Sequence, residues 1–146
     1  MTATEPHLRF REARERRGLS AEHVAESCGF HPIHVWEIEG LEGDLTDCYS
    51  PGTVRKFCRV LGIRPIELFT DKTVEPPVSV EELVQRIHEE CRLRGITLEQ
   101  FEDIVEYPLT DCIQRPEKLL EDMFINSLQR LCQELRIDWL RVISSL

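Results

Sequence analysis

The side chains best equipped for chemistry crowd into one stretch of the sequence. His23, Cys28, His31 and His34 stand close together there, followed by Trp36 and Glu37. A thiol among imidazoles raises metal binding first, because both are good zinc ligands. The spacing argues against it: Cys28, His31 and His34 form Cys-x2-His-x2-His, which is not a usual zinc pattern, and a helix would send the three side chains apart. Catalysis has less support still. The sequence offers no glycine-rich phosphate loop, no nucleophile motif and no carboxylate pair in an evident pocket. Neither a metal, a cofactor nor an enzymatic activity is therefore expected.

The elements that would carry these side chains are legible. From Leu19 to Glu39 the chain reads LSAEHVAESCGFHPIHVWEIE. Ser20 suits the N-cap of a first helix, where its hydroxyl can accept a bond from an otherwise orphaned backbone N–H. Val24 and Ala25 give that helix a narrow apolar face, and Gly29 sits where the chain must turn. Pro32 suits the first turn of a second helix, since its missing N–H costs little there. Val35 and Ile38 then fall on an inward face. Helix, glycine turn and helix is a helix-turn-helix layout.

The surrounding run extends the pattern. Arg14 to Ser20 (RERRGLS), Val24-Ala25, Gly29, Val35, Ile38-Glu39, Val60 to Ile63 (VLGI) and Leu68-Phe69 follow in order. This ordered set resembles the phage-repressor-like (Cro/cI-type, XRE) helix-turn-helix domains over residues 8–69. The resemblance implies an all-α, five-helix domain that binds DNA as a transcriptional regulator. It also implies a structural ion pair between Arg14 and Glu39, and a second helix entering the major groove. By resemblance, the DNA-binding residues would be Ser20, His31, Pro32, Ile33, His34, Trp36 and Glu37. Few of these are good base readers. Ile33 could touch a thymine methyl, His31 could donate a hydrogen bond, and Glu37 could accept from a cytosine amine. Where the family commonly has a phosphate-binding glutamine stands Ala21, and the Gly40–Tyr49 loop carries Glu42, Asp44 and Asp47.

Composition fits a folded chain in one ordinary domain or two very small ones. Of its 146 residues 41% are hydrophobic, enough for a compact core, and 31% are charged, which suits a hydrated surface. The six cysteines show no CxxC, and the chain has neither a membrane-length apolar run nor a signal-peptide apolar region. A cytoplasmic location with reduced cysteines as small apolar fillers is expected. The net charge is −9. Residues 1–72 hold 10 Lys and Arg against 12 Asp and Glu, and residues 73–146 hold 8 against 15. That balance does not suit non-specific binding to nucleic acid, which draws chiefly on phosphate neutralisation.

Along the rest of the chain, His7–Arg17 reads as a first helix. Its arginines alternate with Glu12 and Glu15 as a solvated face. Ser50-Pro51 starts a helix with Val54, Phe57, Cys58 and Leu61 inward, and Gly62 ends it. A short fifth helix spans Pro65–Phe69. Thr70–Val78, with Pro76-Pro77, reads as a linker between domains at 1–70 and 79–146.

The second half reads as a degenerate copy of the first, with an unrelated helical bundle as the alternative, since amphipathic helices match one another easily. Arg94 to Glu99 lies over Arg17 to Glu22. Leu128, Leu131, Cys132, Leu135 and Ile137 lie over Val54, Phe57, Cys58, Leu61 and Ile63. Cys91 falls at the Arg14 position and Pro116 or its neighbour at Glu39, so the ion pair is expected to be lost as a unit. Pro116 is expected to open one long helix through Leu120, Phe124, Leu128, Leu131 and Leu135.

Two functions from different classes remain. One is a regulator binding double-stranded DNA. The other is a protein-interaction module that kept the scaffold, meeting a protein partner or a second copy through Ile33 and Trp36 or through the second domain, with no membrane involved. The potential around the second helix discriminates: a positive surface favours DNA, an acidic or apolar one a protein. If the apolar pair is an interface, Trp36 should be at least half covered, by the second half of the chain or by another subunit.

Overall fold

The computed structural model describes residues 5–146, and these form helices without strands. The first half contains α1 (Pro6–Arg16), α2 (Ala21–Ser27), α3 (Pro32–Gly40), α4 (Asp44–Asp47), α5 (Pro51–Leu61) and the 3-10 helix η1 (Pro65–Leu68). The second contains α6 (Val80–Arg94), α7 (Leu98–Val105), α8 (Thr110–Gln114), α9 (Lys118–Glu121), α10 (Ile125–Leu135) and α11 (Trp139–Ile143). None of these helices is long and apolar enough to cross a membrane.

Local chemistry sets the helix ends. Ser20, Ser50 and Thr97 each accept a backbone N–H from three residues on, at 3.0, 3.2 and 3.1 Å, and Gln100 returns a bond to the Thr97 N–H. Gly62 closes α5 in the left-handed conformation, with φ of 72°. The expected loop after α3 is not wholly irregular. Residues 44–47 close one helical turn, which drops Leu45 into the core.

Two apolar clusters fill the halves, and each borrows from the other. Phe10, Val24, Ile38, Phe57 and Leu61 anchor the first, but Ile125 of α10 is buried in it as well. Leu83, Ile87, Phe101, Leu128 and Leu131 anchor the second, together with Ile66 of η1. Phe69 and Trp139 meet edge to face at 5.1 Å and pack against both clusters. Gly52 of α5 lies so close to α9 that an added Cβ would sit 3.0 Å from the Leu120 carbonyl oxygen. Residues 70–79 carry no helix, yet they are held: the Val78 N–H donates to the Arg141 carbonyl at 3.0 Å, and Arg141 Nε donates to the Pro76 carbonyl at 2.8 Å.

The single long helix expected from Pro116 to Leu135 is not formed. It breaks at Asp122–Phe124 into α9 and α10, where Phe124 adopts an extended conformation as the N-cap of α10. The break buries Met123 in the second core and turns Ile125 into the first. The Ile125 N–H, unable to bond within its own helix, donates to the Tyr49 carbonyl at 3.0 Å.

The positions of Arg14 and Glu39 are taken by Cys91 and by Pro116 or its neighbour, but the second half holds a buried ion cluster elsewhere, which the sequence did not suggest. Glu90 of α6 is buried, with its side chain 6% exposed. Arg94 Nε donates to it at 2.9 Å, and Arg136 Nη2 donates at 3.0 Å from the end of α10. The charge has moved rather than vanished. The Arg94 hydrogen bond, aided by the charge of Arg136, holds the Glu90 carboxyl below its ordinary range against the opposing effect of burial.

Two outcomes follow from this architecture. Ile125→Ala should lower stability by about 2–5 kcal/mol, and Trp36 and Trp139, read in single-tryptophan variants, should still report one coincident urea transition. Two separated transitions would mean that the halves fold independently. For Glu90 the folded pKa lies below the unfolded one, so its stabilisation is complete above about pH 4.3 and fades as pH falls through the folded value. Glu90→Gln should thus be less stable than the parent at neutral pH, with the gap closing in acid.

Candidate functional site

The outer face of α3 is organised from its two ends. At the C-terminal end the Glu39 side chain is only 6% exposed. Arg14 grips it with two bonds, Nε to Oε2 at 2.6 Å and Nη2 to Oε1 at 2.8 Å, while its Nη1 donates to the Leu19 carbonyl at 2.9 Å. Arg11, one turn earlier on α1, adds Nε to Oε1 and Nη2 to the Glu39 carbonyl, both at 3.3 Å. The Glu39 hydrogen bond raises the Arg14 guanidinium above its ordinary pKa, outweighing desolvation. Arg11 was not singled out from the sequence. Its spacing of three from Arg14 was the available signal, since residues so spaced share a helix face.

At the N-terminal end Gly29 makes the turn with φ of 78°, and His31 caps α3. The His31 Nδ1 accepts the Ile33 N–H at 3.1 Å, so the ring proton resides on Nε2, where it remains available as a donor. Val35 and Ile38 then point inward and are fully buried. Ile33 and Trp36 face outward, 44% and 54% exposed, and Leu41 beyond the helix is equally open at 54%. Trp36 therefore falls short of the expected half coverage within the chain. The reason is where the second half docks: α9, α10 and α11 pack chiefly on α5, α4 and η1.

The residues named from the sequence do not all share this face. His31, Ile33 and Trp36 do, with Glu37 half exposed on its flank. Ser20 is engaged as the cap of α2 and Pro32 is half buried. His34 departs, because its Nδ1 lies 3.1 Å from the Tyr49 hydroxyl and its ring packs edge-on to Phe30.

The charge along this stretch of the chain is one-sided. From Gly18 to Val54 the sequence contains no lysine or arginine, but it holds Glu22, Glu26, Glu37, Glu39, Glu42, Asp44 and Asp47. Only Glu39 among these is buried, and Arg14 and Arg11 answer it. The cysteines add no reactive group here. Burial pushes the Cys58 and Cys132 thiols up to about 12 and raises Cys28 as well.

Fold and site together define a helix-turn-helix unit in the first half of the chain. Residues 8–68 match the model of a family described as "Helix-turn-helix domain", and this stretch is such a domain, of the phage-repressor-like kind. The match suggests DNA binding. No curated protein and no solved structure matches the chain.

The ion cluster supplies a stability test. Arg14→Met should destabilise the chain by on the order of 3 kcal/mol, because it leaves most of a buried carboxylate unanswered. Arg14→Met with Glu39→Leu should recover part of that loss in urea unfolding. Equal stabilities would mean that the pair is weak and solvated.

Proposed function

We propose that the chain is a transcriptional regulator of the Cro/cI-like type that meets duplex DNA with α3. The observation that carries this reading is the unobstructed outer face of α3 in a matched helix-turn-helix domain. His31 Nε2–H, the Ile33 side chain and the Glu37 carboxylate supply a donor, an apolar contact for a thymine methyl and an acceptor for a cytosine amine. Gly18–Val54 offers no cationic side chain, so phosphate contacts would fall to flanking residues such as Arg11, whose side chain is 45% exposed beside Glu39. Such a protein binds through base contacts and groove shape, with weak non-specific affinity and a shallow salt dependence.

The second half, on this proposal, is a degenerate copy, with domains at 1–70 and 79–146 and a linker at 71–78. The order of α6–α11 parallels that of α1–α5 and η1, and left-handed Glu106 and Arg136 fall where Gly29 and Gly62 stand in the first half. The counterpart of α3 is α8, only five residues long, so the copy contributes support rather than a second reading helix.

A second reading, a protein-docking module, is favoured by the charge pattern. Ile33, Trp36 and Leu41 form an apolar surface beside Glu37 and Glu42. That chemistry suits a basic protein partner or, through the apolar groups alone, a second copy of the chain.

Selection against random duplex DNA at low salt separates the two. If α3 reads DNA, Glu37→Gln should tighten binding to most sequences by about fivefold, the worth of one charge a few ångströms from phosphate in water-like surroundings. Ile33→Ala should relax preference at one base step. Absence of binding by both wild type and Glu37→Gln would remove DNA, and self-association or partner binding abolished by Trp36→Ala would establish the docking module.

A further inference from the structure

We propose that the cavity between α3, the α4–α5 corner and the α9–α10 break is a binding site for an organic cation carrying an alkylammonium or guanidinium group. The cavity measures about 390 Å³ and is built by both halves of the chain. One wall is aromatic: Phe30 meets His34 at 5.4 Å and Tyr49 at 6.2 Å between ring centroids, all edge to face. From the second half Phe124 completes the wall, 47% exposed. Aromatic faces with an open mouth attract organic cations through the ring quadrupole.

The remaining lining supplies the matching charge. Glu37, Asp44 and Glu121 border the cavity, and no lysine or arginine does. Asp44 is half exposed; its Oδ1 accepts the Cys48 thiol at 3.4 Å, and among the described residues no cationic side chain pairs with its carboxylate. The Tyr49 phenol, pushed up to about 12 by burial first and then by Asp44, Cys48 and Glu37, reports the same negative surroundings. Among the described residues no three His, Cys, Asp or Glu converge as a metal site. Carboxylates spread around rings instead suit a diffuse, partly apolar cation. The site stands whether α3 meets DNA or protein.

NMR of the full chain tests this, with n-butylammonium and n-butylguanidinium as probes and n-pentanol as the neutral counterpart. Both cations should saturate with Kd of about 1–10 mM, moving the ring resonances of Phe30, Tyr49 and Phe124, while the alcohol should not. Glu121→Gln, at an exposed position, should weaken binding about fivefold without changing the melting temperature, and Phe124→Ala should weaken it about fivefold in a chain that still folds. Capped Gly-Lys-Gly and Gly-Arg-Gly form a second arm. Tighter binding of a tripeptide assigns the cation to a partner's side chain, and tighter binding of the small amine assigns it to a free metabolite. Equal affinity for the alcohol, shifts mapping elsewhere, no saturation by either cation, or unchanged affinity in both variants would each overturn the proposal.

Discussion

The carboxylate of Glu39 determines how α3 is presented. A buried carboxylate without partners would cost several kcal/mol, so the fold must bring guanidinium groups to it. Arg14 does so in a bidentate fork that leaves little rotational freedom, and Arg11 covers the carboxylate from the next turn of the same helix. The contact ties the end of α3 to α1, while Val35 and Ile38 tie its middle to the core. With one side of α3 fixed in this way, Ile33 and Trp36 must face outward. The working face therefore follows from an interaction on its reverse side.

The second half solves the same problem with different residues. Its buried carboxylate lies on α6 and its guanidinium partners come from α6 and the end of α10, so the ion cluster ties the first helix of the half to the fifth. In the first half the corresponding corner is held by Gly62, where an added Cβ would run into the Arg17 guanidinium. Arg136 occupies that corner in the second half with φ of 57°, a conformation that costs a non-glycine residue about 1–2 kcal/mol. Its two bonds to Glu90 at 3.0 and 3.4 Å offset that cost. Backbone strain and ion pairing are thus joined at one residue.

Sequence patterns revealed the parts of the fold that depend on near neighbours. Caps at Ser20, Ser50 and Thr97, the turn at Gly29 and the inward set Val54, Phe57, Cys58 and Leu61 all rest on spacings of three or four residues. The parts that stayed hidden depend on distant ones. Leu120, Phe124 and Leu128 keep helical spacing across the α9–α10 break, because periodicity records direction and not continuity. What breaks the helix is Ile125 entering the other core. Nothing in the sequence marks Glu90 as buried: Arg94 stands at i+4, the spacing of a solvated helix pair, and Arg136 lies 46 residues away. At the candidate site the inward and outward faces of α3 were legible, but the turning of His34 toward Tyr49 was not. That tyrosine arrives from beyond α4, a helix too short for an apolar period to reveal.

The near-neutral charge of the first half conceals how that charge is sorted. Its arginines and lysines lie before Gly18 and after Val54, while α2, α3 and α4 hold only acids and histidines. At physiological salt a charge acts over roughly 8 Å, so a partner approaching α3 responds to the local acids rather than to the half's total. Long-range attraction of a polyanion is therefore weak at this face, and recognition must be decided at contact. There the apolar surfaces of Ile33, Trp36 and Leu41 offer about 25 cal/mol for each Å² removed from water. Glu37 and Glu42 penalise any partner that brings negative charge without a compensating donor. A face of this kind selects by shape and by specific polar matches, and the buried grip on Glu39 holds that shape in place.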